Sequence, residues 1–371
     1  MHPRNVEAWA AAEDVEQEEA NRICRDEVLR PESALSAPLP LLLHCLSPSH
    51  YAKYGPRVQS AASLTLAKVM LLNESFCQQH LRLFFQLLRQ SPSAAVRSNL
   101  MIAAGDLCFR FPNLVEPYSK YLYDRLSDDD QSVKQTCLLV LTHLILNDMV
   151  KCKGYVADIA YCTLDKRTEM AGLAKRFFAE LAQKGNTVYN LLPDIIGRLS
   201  DGEGRLSPVQ FQEVMRFLFQ FVRKDKQCES LVEKLCQRFQ AAKVTDESSA
   251  VVQWRYLSFC LSQLQYHEKA LQKLKDNAHC YLNKLRDEEV WRNFQAILAN
   301  ARKNAKTMES RAELEEVEER FERLHMEGAE NEEAAERACR LLKTTRGNLR
   351  TPRRGQATRK KLRLSADLSP S

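Results

Sequence analysis

Twelve cysteines, eight histidines and a run of three aspartates are the residues of this 371-residue chain best suited to metal or nucleophilic chemistry. The cysteines stand at positions 24, 45, 77, 108, 137, 152, 162, 228, 236, 260, 280 and 339, with no C-x-x-C pair and no Cys/His cluster at zinc-finger spacing. Most fall inside apolar helical patterns, where a thiol acts as a small hydrophobe. They read as reduced structural thiols of a cytosolic or nuclear protein. No H-E-x-x-H, G-x-S-x-G, Walker A or G-x-G-x-x-G motif occurs. His143 lies in a helical pattern over 133–147 and reads as a packed core or groove histidine. Asp201-Gly202-Glu203-Gly204 lacks the lysine and the preceding strand that a phosphate cradle needs, and reads as a turn between helices. Asp128-Asp129-Asp130 precedes Val133, where acids oppose the positive end of a helix dipole. No catalytic residue, metal or cofactor is expected.

The C-terminal tail carries a different chemistry. Thr351-Pro352-Arg353-Arg354 has the Ser/Thr-Pro-x-basic form that proline-directed cell-cycle kinases prefer, and Ser369-Pro370 is a minimal version. Each phosphate adds about −1.5 to −2 charge, so modification of Thr351 and Ser369 would cancel about half of the tail's +7 (residues 344–371, eight bases and one acid). Arg353 and Arg354 with Arg359, Lys360, Lys361 and Arg363 form a two-part basic pattern of the nuclear-import kind, equally able to grip DNA phosphates without sequence preference.

The elements before the tail repeat. Val58, Val96, Val133 and Met170 each open an apolar series at i, i+4, i+7, i+8 and i+11, one face of a helix, and the starts are 38, 37 and 37 residues apart. A second amphipathic helix precedes each, over 38–47, 76–90, 113–126 and 150–163. The pattern continues less regularly through 187–200 with 208–223, 227–242 with 249–264, and 267–285 with 287–305. Ser91-Pro92 and Ser207-Pro208 read as N-cap followed by N1. A single pair of this length cannot bury its face, so neighbours must stack. The expected fold is all-α: a HEAT-repeat α-solenoid, an armadillo-like superhelix, over 38–305. An acidic helical segment over 1–37 precedes it, a charged helix over 306–343 with a stripe of Leu314, Val317, Phe321 and Leu324 follows, and 344–371 is expected to be a disordered basic tail. The best apolar run, Leu39 to Leu46, is far short of the roughly 20 residues that cross a bilayer.

Charge is unevenly placed: −5 over 1–37, −6 over 308–343, and +10 over 38–307. Basic residues at the expected turns and helix ends, Lys134, Lys151, Lys153, Lys166, Arg167, Arg223, Lys224 and Lys226, are candidate contacts to duplex DNA. An importin-like cargo adaptor would need an acidic inner surface with Trp/Asn ladders, yet the middle block is basic and Trp9, Trp254 and Trp291 do not repeat. A phosphatase-type scaffold would show uniform repeats and leaves the kinase-site tail unexplained.

The stretch from Leu138 to Lys151, LLVLTHLILNDMVK, followed by Lys153-Gly154, resembles the HEAT-repeat regulatory subunit 1 of condensin, the mitotic chromosome-condensation complex. Val96 to Leu100 (VRSNL), Leu191 to Ile196 (LLPDII), Arg198 to Asp201, Glu229 to Arg238 (ESLVEKLCQR) and Cys260 to Leu264 extend the likeness over roughly 20–300. The condensin I form is closer than the condensin II form. The resemblance implies a non-catalytic subunit whose solenoid grips the kleisin, approaches the SMC ATPase heads and contributes to DNA binding. It also implies a tail phosphorylated by mitotic kinases, here at Thr351 and Ser369, and a place in the nucleus and on mitotic chromosomes, with cytoplasm in interphase. Family members are several times longer, so this sequence corresponds to their C-terminal array.

Overall fold

A computed structural model describes residues 15–24, 26–151, 154–200, 206–241, 247–304 and 308–327. Among them the regular elements are all helical. After a short acidic helix, α1 (15–24), come seven helix pairs. They are α2 (Leu39–Leu46) with α3 (Pro56–Leu72), and α4 (Glu74–Gln90) with α5 (Ala94–Arg110). The third first-helix is broken into α6 (Pro112–Val115) and α7 (Ser119–Tyr123), before α8 (Gln131–Leu146). Then follow α9 (Val156–Cys162) with α10 (Thr168–Gln183), α11 (Thr187–Ser200) with α12 (Pro208–Phe219), and α13 (Asp225–Ala241) with α14 (Glu247–Ser262). The seventh pair is α15 (Glu268–Asp276) with α16 (Glu288–Asn304), and α17 (Met308–Glu327) ends the series.

First helices stack on first helices, α9 on α11, α11 on α13 and α13 on α15. Second helices stack on second helices, α3 on α5, α5 on α8, α8 on α10, α12 on α14 and α14 on α16. The result is a two-layered helical-repeat solenoid with one continuous apolar seam between the layers. Leu66, Leu100, Leu107, Cys137, Leu141, Leu144, Ala174, Phe177 and Leu181 of the apolar series are buried there, whereas Val58 and Thr65 of the first series are exposed. At the far end Leu314, Val317 and Phe321 of α17 close the seam against α16.

Three expected helices come out broken. Over 113–126 the chain runs α6, a 3-10 turn Glu116–Tyr118, α7 and a second 3-10 turn Asp124–Ser127, because Pro117 has no N–H to continue α6. Among the described residues of 150–163 the helix is Val156–Cys162. Asp148 ends α8 with φ 58°: its N–H donates to Ile145 O and that of Met149 to Leu144 O, the left-handed Schellman ending. Over 267–285 the helix stops at Asp276 and continues as the 3-10 turns Ala278–Cys280 and Leu282–Lys284.

Ser207 is an N-cap as expected, in a full capping box with Gln210. Ser91 is not. The cap of α5 is Ser93, whose Oγ accepts from the Val96 N–H. Ser91 instead ends α4, buried, with its hydroxyl 3.0 Å from that of Tyr51 in the preceding pair. No helix among the described residues is long and apolar enough to cross a membrane.

Candidate functional site

A solenoid presents two edges, formed by the two kinds of turn, and two helical faces. The edge of turns within pairs carries the stiffest polar group. Asp128, 2% exposed at its side chain, takes a two-point hydrogen bond from Arg97 of the preceding pair (2.8 and 3.0 Å) and one from Arg125 (2.9 Å). It also accepts from the Asp130 N–H at 3.0 Å. Burial opposes ionisation of Asp128, but the Arg97 hydrogen bonds, the Asp130 N–H and the two guanidinium charges outweigh it and hold the carboxyl below the usual range. Asp130 is the N-cap of α8, accepting from the Ser132 N–H. The triple aspartate therefore does serve a helix start through Asp130, while Asp128 locks two repeats together. The same device recurs at Arg255 and Asp287, 2.6 Å apart, with Asp287 also accepting from the Glu289 and Val290 N–H groups. Sequence reasoning missed both pairs. The available signal was an arginine on a second helix and an aspartate 31 or 32 residues on, in the next turn.

Along the opposite edge each turn reaches back one pair. Lys151 Nζ donates to Glu116 (2.9 Å), Lys184 Nζ to Asp148 (2.8 Å) and Lys224 Nζ to Asn186 (3.3 Å), over separations of 35, 36 and 38 residues. These exposed contacts mark the repeat register more than they stabilise it.

The candidate DNA contacts divide between the two edges. Lys134, Lys166 and Arg167 sit at turns within pairs, on the edge with Asp128. Lys151, Arg223, Lys224 and Lys226 sit at turns between pairs, on the other. The fold does not gather them into one patch. Arg167, Lys151, Arg223, Lys224 and Lys226 are exposed, and Lys134 is half-buried. Lys153 lies outside the described residues. So do the kinase sites Thr351 and Ser369, the basic residues Arg353, Arg354, Arg359, Lys360, Lys361 and Arg363, and the Asp201–Gly204 loop.

Eight of the ten described cysteines are buried, and none of the ten forms a disulfide with another described residue. Burial raises Cys77 to about 11 and Cys108 and Cys162 to about 12, so thiolate chemistry is suppressed there. His143 is exposed on α8 and lines a hollow between α5 and α8. No group of three His, Cys, Asp or Glu among the described residues is placed to hold a metal ion.

The fold and its inter-repeat polar ladders define a helical-repeat scaffold, a class built to present long surfaces. Within it, residues 95–262 match the family model described as the non-SMC mitotic condensation complex subunit 1. Condensin complex subunit 1 of Xenopus laevis is 46% identical over 328 residues, 88% of this chain and 23% of the relative. The Homo sapiens protein of the same name is 45% identical over 320 residues, 86% of this chain and 22% of the relative. Condensin-1 complex subunit CAP-D2 of Arabidopsis thaliana is 45% identical over 284 residues, 76% of this chain and 20% of the relative. The chain thus spans less than a quarter of the length of these relatives.

Proposed function

We propose that this chain acts in the condensin complex as a non-catalytic scaffold in chromosome condensation, holding the kleisin and SMC subunits and touching duplex DNA. The observation that carries the proposal is likeness to condensin complex subunit 1 across 88% of the chain. The geometry supports a binding role: an array of stacked pairs, locked at Arg97–Asp128 and Arg255–Asp287, offers a long surface of fixed curvature. DNA would run along the edge of Lys151, Arg223, Lys224 and Lys226, while Lys134 and Arg167 on the opposite edge could not reach the same duplex. Phosphorylation of Thr351 and Ser369 would reduce the tail's hold on phosphates, and the basic pairs around Arg353 and Lys360 would direct nuclear entry. The chain would then work in the nucleus and on mitotic chromosomes.

Purification of the tagged chain from mitotic cells, with mass spectrometry of partners and phosphosites, tests this reading. Recovery of SMC and kleisin subunits with phosphate on Thr351 is the expected result. A soluble, folded chain that brings down neither subunit would overturn it.

A further inference from the structure

Three cations on the first-helix layer lack the partner that other repeats supply. Elsewhere a basic residue crossing to a neighbouring pair meets a carboxylate, as Arg97 meets Asp128 at 2.8 Å and Lys273 meets Glu233 at 3.0 Å. On α11 and α13 this fails. Arg198 lies over the ring of Tyr155 at 5.6 Å, and Lys234 over that of Tyr189 at 5.3 Å. The half-buried Arg238 guanidinium rests on Gly197, where a Cβ would collide with it. Arg198 and Lys234 are exposed, and none of the three has a carboxylate partner among the described residues. Asp194, one turn before Arg198, forms no ion pair with it, and Glu233 is taken by Lys273. A ring or a bare backbone fixes where a cation lies without neutralising it.

Arg198 and Arg238 stand near the C-terminal ends of α11 and α13, on the edge of turns within pairs. The last helix, α17, ends on that same edge. His325 Nδ1 is 2.7 Å from the O of Leu285, in the turn between α15 and α16, and its ring stacks on Trp291. The residues that follow Glu327, 328–336, carry Glu330, Glu332, Glu333 and Glu336 and no base.

We propose that this acidic segment folds back along the edge and docks on Arg198, Lys234 and Arg238, covering the patch against other anions. Helices packed side by side lie about 8–10 Å apart, so α13 and α11 are about 8–20 Å from the seventh pair. A flexible chain of this length spans about 15–18 Å between its ends, which matches. Tethering gives the segment an effective concentration of roughly millimolar order. Exposed ion pairs that are individually weak then suffice to hold it, and a stronger anion can displace it.

The test uses fluorescence anisotropy with a labelled peptide of residues 326–338 and the full 371-residue chain. In one variant the chain's own segment is neutralised by Glu330→Gln, Glu332→Gln, Glu333→Gln and Glu336→Gln. The expected result is peptide binding at least tenfold tighter to this variant than to the wild type. Adding Arg198→Glu and Arg238→Glu should weaken that binding at least tenfold, and a peptide with Lys in place of the four Glu should restore it. An unchanged urea midpoint shows that the variants fold, and Lys234→Glu replaces Arg238→Glu if the midpoint falls. Equal binding to wild type and neutralised chain, or indifference to the arginine variants, would overturn the proposal. So would the same gain from Asp201→Asn with Glu203→Gln, which would make the neighbouring turn the occupant. A labelled DNA duplex that gains from neutralisation while the peptide does not would give the patch to phosphate instead. The probe needs no condensin subunit, so this inference and the condensin proposal can fail separately.

Discussion

At the scale of single residues, Asp128 decides most. Two guanidinium groups and a backbone N–H meet on a carboxylate that is almost fully buried. Removing one partner of such a group leaves the other's charge uncompensated, which costs about 3–5 kcal/mol. Asp128→Asn keeps the shape and loses the charge, so it is expected to lower stability by about 3 kcal/mol, read from the urea midpoint. Arg97→Met in the same background should add little, because the pair is already broken. The carboxyl's folded-state pKa lies below the unfolded value of about 3.9. Its stabilisation is therefore complete above about pH 4 and is lost as pH falls through the folded value. Acid titration of the wild type should show this loss and Asp128→Asn should not. In the sequence, Asp128 was visible as part of a helix-start signal, which Asp130 alone fulfils. Its partner, 31 residues earlier, becomes legible only once the repeat register is known. Buried thiols were legible at once, since apolar periodicity placed them.

At the scale of elements, periodicity located the helices and local backbone chemistry broke them. Pro117 interrupted the third first-helix although the apolar pattern runs through it. Asp148 holds the left-handed position that ends α8, where glycine is the natural residue. Asp148→Gly removes that strain and gives up the exposed contact with Lys184, which is worth little. It should stabilise the chain by about 0.5–1 kcal/mol in denaturant unfolding. Gly105 works differently: a Cβ there would come 2.8 Å from Cγ1 of Val140 on α8. Gly105→Ala gains about 1 kcal/mol of helix propensity but forces α5 and α8 apart. Overpacking costs about 1–3 kcal/mol, so a net loss of about 1 kcal/mol is expected. Val140→Ala introduced with it should relieve the clash, and the double-mutant cycle in urea measures that coupling. Gly105 carries no mark in the sequence pattern. The close approach that requires it is a property of two helices, and no single-helix reading contains it.

At the scale of the whole molecule, each pair leans only on its neighbours, so damage should stay local. Phe321 of α17 is 1% exposed against Phe294 and Tyr281. Phe321→Ala should cost about 3–5 kcal/mol. Amide exchange should rise in α15 to α17 and stay unchanged in α3 to α8. The solenoid itself was legible in the sequence because its period repeats. The division of the basic residues between two opposite edges was not, since it depends on which turns share an edge once the pairs are stacked. On the proposed function, this array is an assembly surface of condensin. Its most direct measurement is size-exclusion co-elution of the purified chain with a recombinant condensin kleisin subunit. One stoichiometric peak, dissociated when the array is loosened by Asp128→Asn, is the predicted result. Two separate peaks, with the chain folded by circular dichroism, would contradict it.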